Sequence, residues 1–389
     1  MVKLLYLTPG CFDKGGISRY SRYQIRAWRE VLGNSNVRAL SLMGPDENSF
    51  EEPFEVDFYA GGNTRWYRAN FVWHGVREAA SWRPDVIHTA HIGFAGMARI
   101  LGMAVGARVM LNVYGLDAWS GFWRQDIRWG IVGSSYVVSD CHFTARYLEE
   151  EGIRPPGSVA VVWDCVDLDR LSPGPVNAEV LRRYGLPDPA TGFNLLTFGR
   201  MSRDAAHKGY DRLYEVFRRI APMCPSLRLI FGGRGDLSIA LRRRAEADGL
   251  GDRVFFTGMV HESDLADVYR SAHLFSLVSD RGVNRGEGIP LTPLEAAACG
   301  IPILVGNQDG SQEAVVEGKN GYILDPFDLD GHAAAILNLF RDPGRCEQMG
   351  REARTRIERE FAYPMFREKH RGLLQRWLSE DVQRGKKSL

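Results

Sequence analysis

Short apolar runs alternate along the chain with longer segments of mixed polarity. Residues 3–7, 37–42, 85–89, 107–113, 135–138 and 159–162 form one series of such runs. Residues 194–198, 227–231, 253–257, 273–278, 301–305 and 321–324 form a second. A brief apolar run bounded by polar or turn-forming residues predicts a strand, and the intervening segments have the length and spacing of helices. Strands that alternate with helices pair in parallel, through βαβ crossovers, into doubly wound sheets. Two series predict two Rossmann-like domains in an α/β chain. The interval 163–193 separates them and carries Pro173, Pro175, Pro187 and Pro189, residues that interrupt regular structure. The domains are placed at 1–170 and 171–362, followed by a helix and tail over 363–389 after the break at Pro364.

Residues 64–83 carry more apolar surface than one buried helix face needs. On a helical wheel Ala69, Val72, Trp73, Val76 and Ala80 share one face, which is predicted to pack on the N-terminal sheet. Tyr67, Phe71 and Trp82 fall on a different face, in a segment with four arginines and one glutamate. Arginine beside exposed aromatics suits a lipid headgroup interface, so a peripheral membrane contact through 64–83 is one expectation. The competing expectation packs this second face against the loop around Phe122, Trp123 and Arg124.

Composition narrows the function classes. With 389 residues, 44% hydrophobic and 25% charged, the chain has the makeup of an ordinary globular protein and suits two domains. A formal net charge of +1 supplies no general attraction to nucleic acid, and no nucleic-acid partner is expected. The six cysteines, at 11, 141, 165, 224, 299 and 346, lack the spacing of a zinc knuckle or a redox dithiol and read as thiols of a reducing compartment. The opening apolar run is too short for a signal peptide, and no run approaches the ~18 apolar residues of a membrane span. The expected location is the cytoplasm, with any membrane contact made from the inner surface.

Three features carry candidate chemistry. The first strand runs into a loop ending Lys14-Gly15-Gly16, and Ile17 opens a helix. Glycine admits an anion close to the backbone, and a helix N-terminus offers unused N–H groups. A plain strand–helix turn explains the same residues equally well, and the full G-x-G-x-x-G fingerprint of a dinucleotide site is absent. The second series opens in the same manner, with Gly199-Arg200 after its first strand and Lys208-Gly209 across a polar loop. Arg200 can grip phosphate oxygens as a fork and Lys208 can act as a point charge. In the third feature, residues 286–300, Glu287 lies in a loop after a strand and Glu295 one helical stretch later. Ionised carboxylates accept sugar hydroxyls, and a loop-to-helix turn between them presents amides to a diphosphate. Taken alone, Glu295 reads more simply as an exposed helix residue.

Other residues are weaker candidates. His88 and His91 flank the end of a strand, where open α/β sheets place ligands; His91 suits the acceptor side, while His88 suits packing. Asp117 suits an acceptor hydroxyl or a helix cap. The pairs Asp167/Asp169 and Asp328/Asp330 fall in linker or turn contexts and read as structural, so no metal and no other cofactor is expected.

Together and in order, these segments resemble the retaining, GT-B-fold glycosyltransferases of family 4, also called group 1. The resemblance covers nearly the whole chain and is strongest from 194 to 326. It rests on Gly199-Arg200…Lys208-Gly209, Phe256-Thr257-Gly258, the Glu287-x7-Glu295 spacing, Gly310 to Val315 and Gly318 to Gly321. It implies two Rossmann-like domains facing an interdomain cleft, with the C-terminal helix crossing back to the first domain. It also implies a retaining hexosyl transfer from a UDP- or GDP-linked sugar to a glycan or lipid-linked saccharide, forming an α linkage in bacterial-type polysaccharide or glycolipid synthesis. Gly16, with Gly15, and Arg200 and Lys208 would neutralise the donor diphosphate. Glu287 would bind the sugar, Glu295 the ribose, and the backbone at Met259-Val260 the base; Arg200, Lys208 and Glu287 form the catalytic set.

Two positions depart from the family pattern. A histidine often found before glycine near an N-domain strand end is Tyr114 here, which leaves the sugar contact open and makes Tyr114 an acceptor-side candidate with His91 and Asp117. The usual Phe-Gly within the Glu-x7-Glu turn is Ile289-Pro290. Pro290 has no N–H, so Leu291 and Thr292 would supply the amides. Two other readings stay open: a nucleotide-sugar epimerase of similar fold, and a non-catalytic nucleotide-sugar-binding protein.

Overall fold

The computed structural model describes residues 2–47, 49–115, 118–119, 124–282 and 286–387. It divides into two compact units, Met1–Cys165 with Tyr363–Leu389, and Val166–Ala362. The first unit begins β1 (Leu4–Thr8), α1 (Gly16–Leu32), β2 (Val37–Ser41), β3 (Phe58–Tyr59), α2 (Arg65–Trp82) and β4 (Val86–Thr89). It continues α3 (Ala95–Val105), β5 (Arg108–Val113), α4 (Gln125–Gly133), β6 (Tyr136–Ser139), α5 (His142–Glu150) and β7 (Val159–Val161). The strands pair in parallel in the order β3-β2-β1-β4-β5-β6-β7. A parallel sheet is covered on both faces, which is why every residue of β1, the apolar run Leu4-Leu5-Tyr6-Leu7-Thr8, is buried. Strand order reverses at β1, where Leu4 faces Val37 on one side and Val86 on the other.

The second unit runs α6 (Ala178–Tyr184), β8 (Phe193–Phe198), α7 (Tyr210–Ile220), β9 (Leu227–Gly232), α8 (Asp236–Ala247) and β10 (Val254–Gly258). It then runs α9 (Leu265–Arg270), β11 (Leu274–Leu277), α10 (Leu291–Ala298), β12 (Ile303–Gly306), β13 (Gly321–Leu324), α11 (Leu329–Arg341) and α12 (Pro343–Arg356). Its sheet has the order β10-β9-β8-β11-β12-β13, so the direction reverses between β8 and β11. Both units are Rossmann-like parallel α/β layers.

The last helix, α13 (Tyr363–Lys387), belongs to the first unit and packs on α1. Pro364 sits in its first turn, where the missing N–H costs nothing. Trp377 stacks on Trp28 at 6.1 Å and Phe366 meets Tyr20 edge-on at 5.2 Å. Beneath this contact runs a buried polar chain. Trp28 Nε1 donates to His88 Nδ1 at 2.9 Å, so His88 Nε2 carries the proton given to Asn112 Oδ1 at 3.0 Å. Asn112 Nδ2 and the Tyr6 hydroxyl both donate to Gln24 Oε1, at 2.6 and 2.7 Å. Gln24 Nε2 donates to His370 Nε2 at 2.9 Å, and His370 Nδ1 donates to the Phe366 carbonyl at 2.8 Å. Each ring is satisfied as a neutral imidazole, and burial lowers His88 to about 3 and His370 to about 4.

Three expectations change. The first unit gives way to the second at Cys165/Val166, earlier than the expected 170/171. Val166 N–H donates to the Phe361 carbonyl at 2.8 Å and Val166 bridges Ala362. The outgoing and returning segments thus meet there, and the prolines lie inside the second unit. Strand β3 was not expected, because two residues carry no period. On α2 the buried residues are Phe71, Gly75 and Ala79, while Ala69, Val72, Trp73, Val76 and Ala80, the face expected to pack, are exposed. Flat residues at i, i+4 and i+8 let α2 approach its neighbours, and a Cβ added at Gly75 would come 2.7 Å from Met97 Cε. Phe122 and Trp123, the expected partners of the second face, lie outside the described residues. Among the described residues no helix is long and apolar enough to cross a membrane.

Candidate functional site

Where strand order reverses, helices leave neighbouring strands on opposite faces and a crevice opens at the carboxyl ends. In the second unit the loops of that crevice follow β8 and β11. They bring together Lys208 and Glu287, 79 residues apart in sequence, at 2.6 Å from Nζ to Oε1. His207 Nε2 lies 2.8 Å from the same oxygen. A carboxylate only accepts, so Nε2 carries the proton. Burial pushes the Glu287 carboxyl up, but the charge of Lys208 and the bonds from His207 and Lys208 outweigh it and hold the group at about 2. Glu287 is therefore ionised, with Oε1 occupied by two donors.

The backbone of Glu287 is fixed from behind. Its N–H donates to Asp309 Oδ2 at 3.0 Å, and its carbonyl accepts from the Gly310 N–H at 3.2 Å. Asp309 also accepts from Ser279 Oγ at 2.8 Å and the Ser311 N–H at 2.9 Å. Burial raises the Asp309 carboxyl to about 6, with the Glu287 charge adding to it.

Arg200 leaves the end of β8 exposed to solvent over 67% of its side chain and pairs with Asp204 at 3.0 Å. A Cβ added at the preceding Gly199 would lie 3.8 Å from Lys208 Cδ, so the chain passes beside the Lys208 side chain as it reaches Arg200. Leu291 and Thr292 open α10 after Pro290, which offers no side-chain cap, and no acidic residue stands in the first turn. Pro293 also lacks an N–H, so the Leu291 and Thr292 amides are the donors available at this positive helix end. Glu295 is buried, not an exposed helix residue, and its Oε2 accepts from the Tyr269 hydroxyl at 2.6 Å. Met259 follows β10 with its side chain exposed, whereas the Val260 side chain is buried.

The first-unit candidates are placed differently. Gly15 caps α1 with extended backbone, and Gly16 opens it. A Cβ at Gly16 would meet nothing within 4 Å, so the space beside it is open. The Asp13 carboxylate already takes the Gly15 N–H at 2.9 Å and the Ser18 hydroxyl, which sets a fixed negative charge against an incoming anion. His91 Nδ1 accepts from the Gly93 N–H at 2.9 Å and so caps its own loop. The Tyr114 hydroxyl accepts from Asn112 Nδ2 at 2.9 Å, and the ring meets Tyr20 at 5.3 Å, which ties this residue to the core. Asp117 lies outside the described residues.

Asp167 accepts from the Asp169 N–H, and Asp328 caps α11 through the Gly331 N–H, so one member of each Asp-x-Asp pair serves a turn or a cap. Among the described residues no group of three His, Cys, Asp or Glu side chains is placed to hold a metal ion. His207, Asp309 and Tyr269 are participants that the sequence reading does not single out. His207 had a signal, its adjacency to Lys208; the other two have none short of the fold.

Comparison with known proteins follows the same division. Residues 194–356 match the family described as glycosyl transferases group 1, and residues 14–170 match glycosyltransferase family 4. A GDP-mannose-dependent alpha-(1-6)-phosphatidylinositol monomannoside mannosyltransferase of Mycobacterium tuberculosis is 30% identical over 288 residues, covering 71% of this chain and 73% of that protein. The protein of the same description from Mycolicibacterium smegmatis is 32% identical over 199 residues, covering 50% of this chain and 48% of its own. Among solved structures, Anabaena HepE in complex with UDP superposes with a TM-score of 0.76 over 96% of this chain and all of that one, at 16% identity. Sucrose-phosphate synthase of Thermosynechococcus elongatus gives 0.75 over 97% of this chain and all of its own, at 20% identity.

Proposed function

From a chain that belongs to the group 1 and family 4 glycosyltransferases, we propose a retaining hexosyltransferase that carries a sugar from a GDP- or UDP-linked donor to a glycan or lipid-linked saccharide, forming an α linkage. One observation carries the reading: Lys208 and His207, in the loop after β8 that also carries Arg200, converge on Glu287 at the switch point of the second sheet. The α10 amides open the helix that follows the Glu287 loop. A nucleoside diphosphate sugar offers anionic oxygens to the cations and amides, and hydroxyls to the carboxylate.

The chemistry follows from these charges. Negative charge grows on the diphosphate as the glycosidic bond breaks, and preplaced donors stabilise it; one such donor is worth roughly 10²–10³ in rate. Arg200, Lys208 and the amides of Leu291 and Thr292 take that role, so turnover calls for no metal. A carboxyl held at about 2 is a weak base and a weak nucleophile. Glu287 therefore binds hydroxyls through Oε2, while Oε1 stays with Lys208 and His207. The leaving phosphate accepts the acceptor's proton in a front-face displacement, and Glu295 holds the ribose. The named activity of the mycobacterial relatives makes GDP-mannose the first donor to test.

A thermal-shift panel of GDP- and UDP-sugars tests the proposal. A cognate donor present at 100 times its Kd adds about 2.7 kcal/mol of stability. The reading requires such a shift in the wild type and its loss in Arg200→Ala; a panel in which no nucleotide sugar raises the melting temperature overturns it.

A further inference from the structure

The Asp309 carboxylate is fully buried, with Ser279 and Ser311 buried beside it. It accepts three donors. The Ser311 N–H binds Oδ1 at 2.9 Å, and the Ser279 hydroxyl and the Glu287 N–H bind Oδ2 at 2.8 and 3.0 Å. Among the described residues none of its partners is a cation. A buried charge without a counter-ion is costly. Capping alone does not call for one: Asp309 caps the short 3-10 helix Gly310–Ala314 through Oδ1, and a neutral serine or asparagine caps as well. Oδ2 serves a different end. It reaches from the exit of β12 to Ser279 at the exit of β11 and on to the Glu287 loop. The Gly310 N–H, from the same turn, holds the Glu287 carbonyl at 3.2 Å. One turn thus grips Glu287 by both backbone polar atoms, while Lys208 and His207 hold its side chain from the loop after β8.

Burial raises the Asp309 carboxyl to about 6, against the hydrogen bond from Ser311 and with the Glu287 charge adding to it, whereas Glu287 is held at about 2. As pH falls from 7 to 5, Asp309 takes up a proton and Glu287 stays ionised. Of the other charged groups on the surrounding segments, Asp280 pairs with Arg212 at 2.7 Å, the Arg281 N–H donates to Gln308 Oε1, and Glu313 stands on the 3-10 helix itself. A proton on Asp309 Oδ2 turns an acceptor into a donor. The Ser279 hydroxyl can reverse and accept it, but the Glu287 N–H can only donate. The bond lost is therefore the one to the Glu287 backbone, and the loop gives up one of its two anchors to this turn.

We propose that Asp309 is a positioning residue for the transfer reaction: as a carboxylate it fixes the Glu287 loop in the geometry that engages the donor sugar, and on protonation it releases that loop and weakens donor engagement. The consequence for the donor rests on the transferase reading. The coupling of the two carboxyls does not, and each has its own readout.

The test follows the side-chain carboxyl carbons of the full chain, labelled with carbon-13 in Asp and Glu, from pH 8 to 5. An Asp resonance that disappears in Asp309→Asn should titrate near pH 6. The Glu287 resonance, identified by its loss in Glu287→Gln, should shift with the same midpoint in the wild type and stay flat in Asp309→Asn. Ser279→Ala removes one donor from the carboxylate and should raise the midpoint by about half a unit or more; it supplies the answer if Asp309→Asn does not fold. Ionised Asp309 falls about tenfold per pH unit below its midpoint, so wild-type kcat/KM for the donor should drop about tenfold from pH 7.5 to 5. Asp309→Asn should lie at least tenfold below the wild type at pH 7.5 and change less than twofold down to pH 5. His207→Gln, whose amide still donates to Glu287, should keep the drop. A cap that only stabilised the fold would lower the melting temperature and leave the pH profile in place. The proposal is overturned if the Asp309 resonance does not titrate between pH 7 and 5, if the Glu287 resonance does not follow it, or if Asp309→Asn keeps the wild-type drop. A wild type that turns over no donor defeats the transferase reading, while a Glu287 resonance that still follows Asp309 upholds the coupling.

Discussion

Glutamine is a near-isostere of the neutral acid, so Glu287→Gln reads the worth of the Glu287 charge directly. A folded-state value of about 2 against an ordinary 4.5 corresponds to roughly 3 kcal/mol at neutral pH. The figure agrees in scale with the about 3–5 kcal/mol lost when one partner of a buried ion pair is removed. The Glu287 and Lys208 side chains are only 18% and 16% exposed, so screening reduces it modestly. The sign follows from linkage. A depressed carboxyl stabilises fully above its unfolded value near 4.5, and the contribution fades as pH falls toward 2. Urea denaturation of wild type and Glu287→Gln should therefore differ by about 2–3 kcal/mol at pH 7, and by about half that at pH 3. A Glu287→Gln variant as stable as the wild type at pH 7, or a difference that stays constant from pH 6 to 3, refutes the assigned electrostatics. A variant more stable than the wild type refutes it equally.

Four further outcomes are expected. Arg200→Ala should lower kcat/KM by about 10²–10³ while stability stays within about 0.5 kcal/mol, because the side chain is exposed and pairs at the surface with Asp204; near-normal turnover would remove it from the site. Tyr269→Phe should cost about 1–3 kcal/mol by withdrawing the donor to buried Glu295, and calorimetry should show Glu295→Ala weakening nucleoside diphosphate binding more than Tyr269→Phe does. Neutral His88 and His370, lowered to about 3 and 4, and the equally buried His332, lowered to about 4, bind protons below pH 6.5 only when unfolded, so each should remove up to about 1.4 kcal/mol of stability per pH unit; His370→Gln should reduce the slope by about that amount between pH 6 and 4.5, as followed by near-ultraviolet circular dichroism. Turnover should survive EDTA, and a complete loss restored by added metal would contradict the charge assignment.

The parallel strands are legible in the sequence because burial on both faces writes them as continuous apolar runs; Leu4-Leu5-Tyr6-Leu7 needs no partner to be recognised. β3 leaves no such trace. The α2 helix shows the limit of periodicity. Two apolar stripes satisfy the same 100° spacing, and only the room beside Met97 decides that Phe71, Gly75 and Ala79 turn inward. The site is legible as residue types but not as partnerships. Lys208 and Glu287 each stand out, yet their 2.6 Å contact depends on β8 lying next to β11. His207 and Asp309 join the site only through that adjacency. Tyr114 shows the converse: a position where the family resemblance implies a histidine is tied into the core by Asn112 and Tyr20.

The measurement closest to the central claim is the fate of the sugar. The full chain is incubated with GDP-mannose labelled in the hexose, and with the cognate donor from the panel if that is another, in the presence of a saccharide and glycolipid acceptor extract. Mass spectrometry then follows nucleotide and label. The account predicts stoichiometric release of the nucleoside diphosphate, the label in an α-linked acceptor product, and loss of both with Arg200→Ala. Recovery of the label as an epimerised nucleotide sugar, or tight donor binding with no transfer to any acceptor, would contradict it.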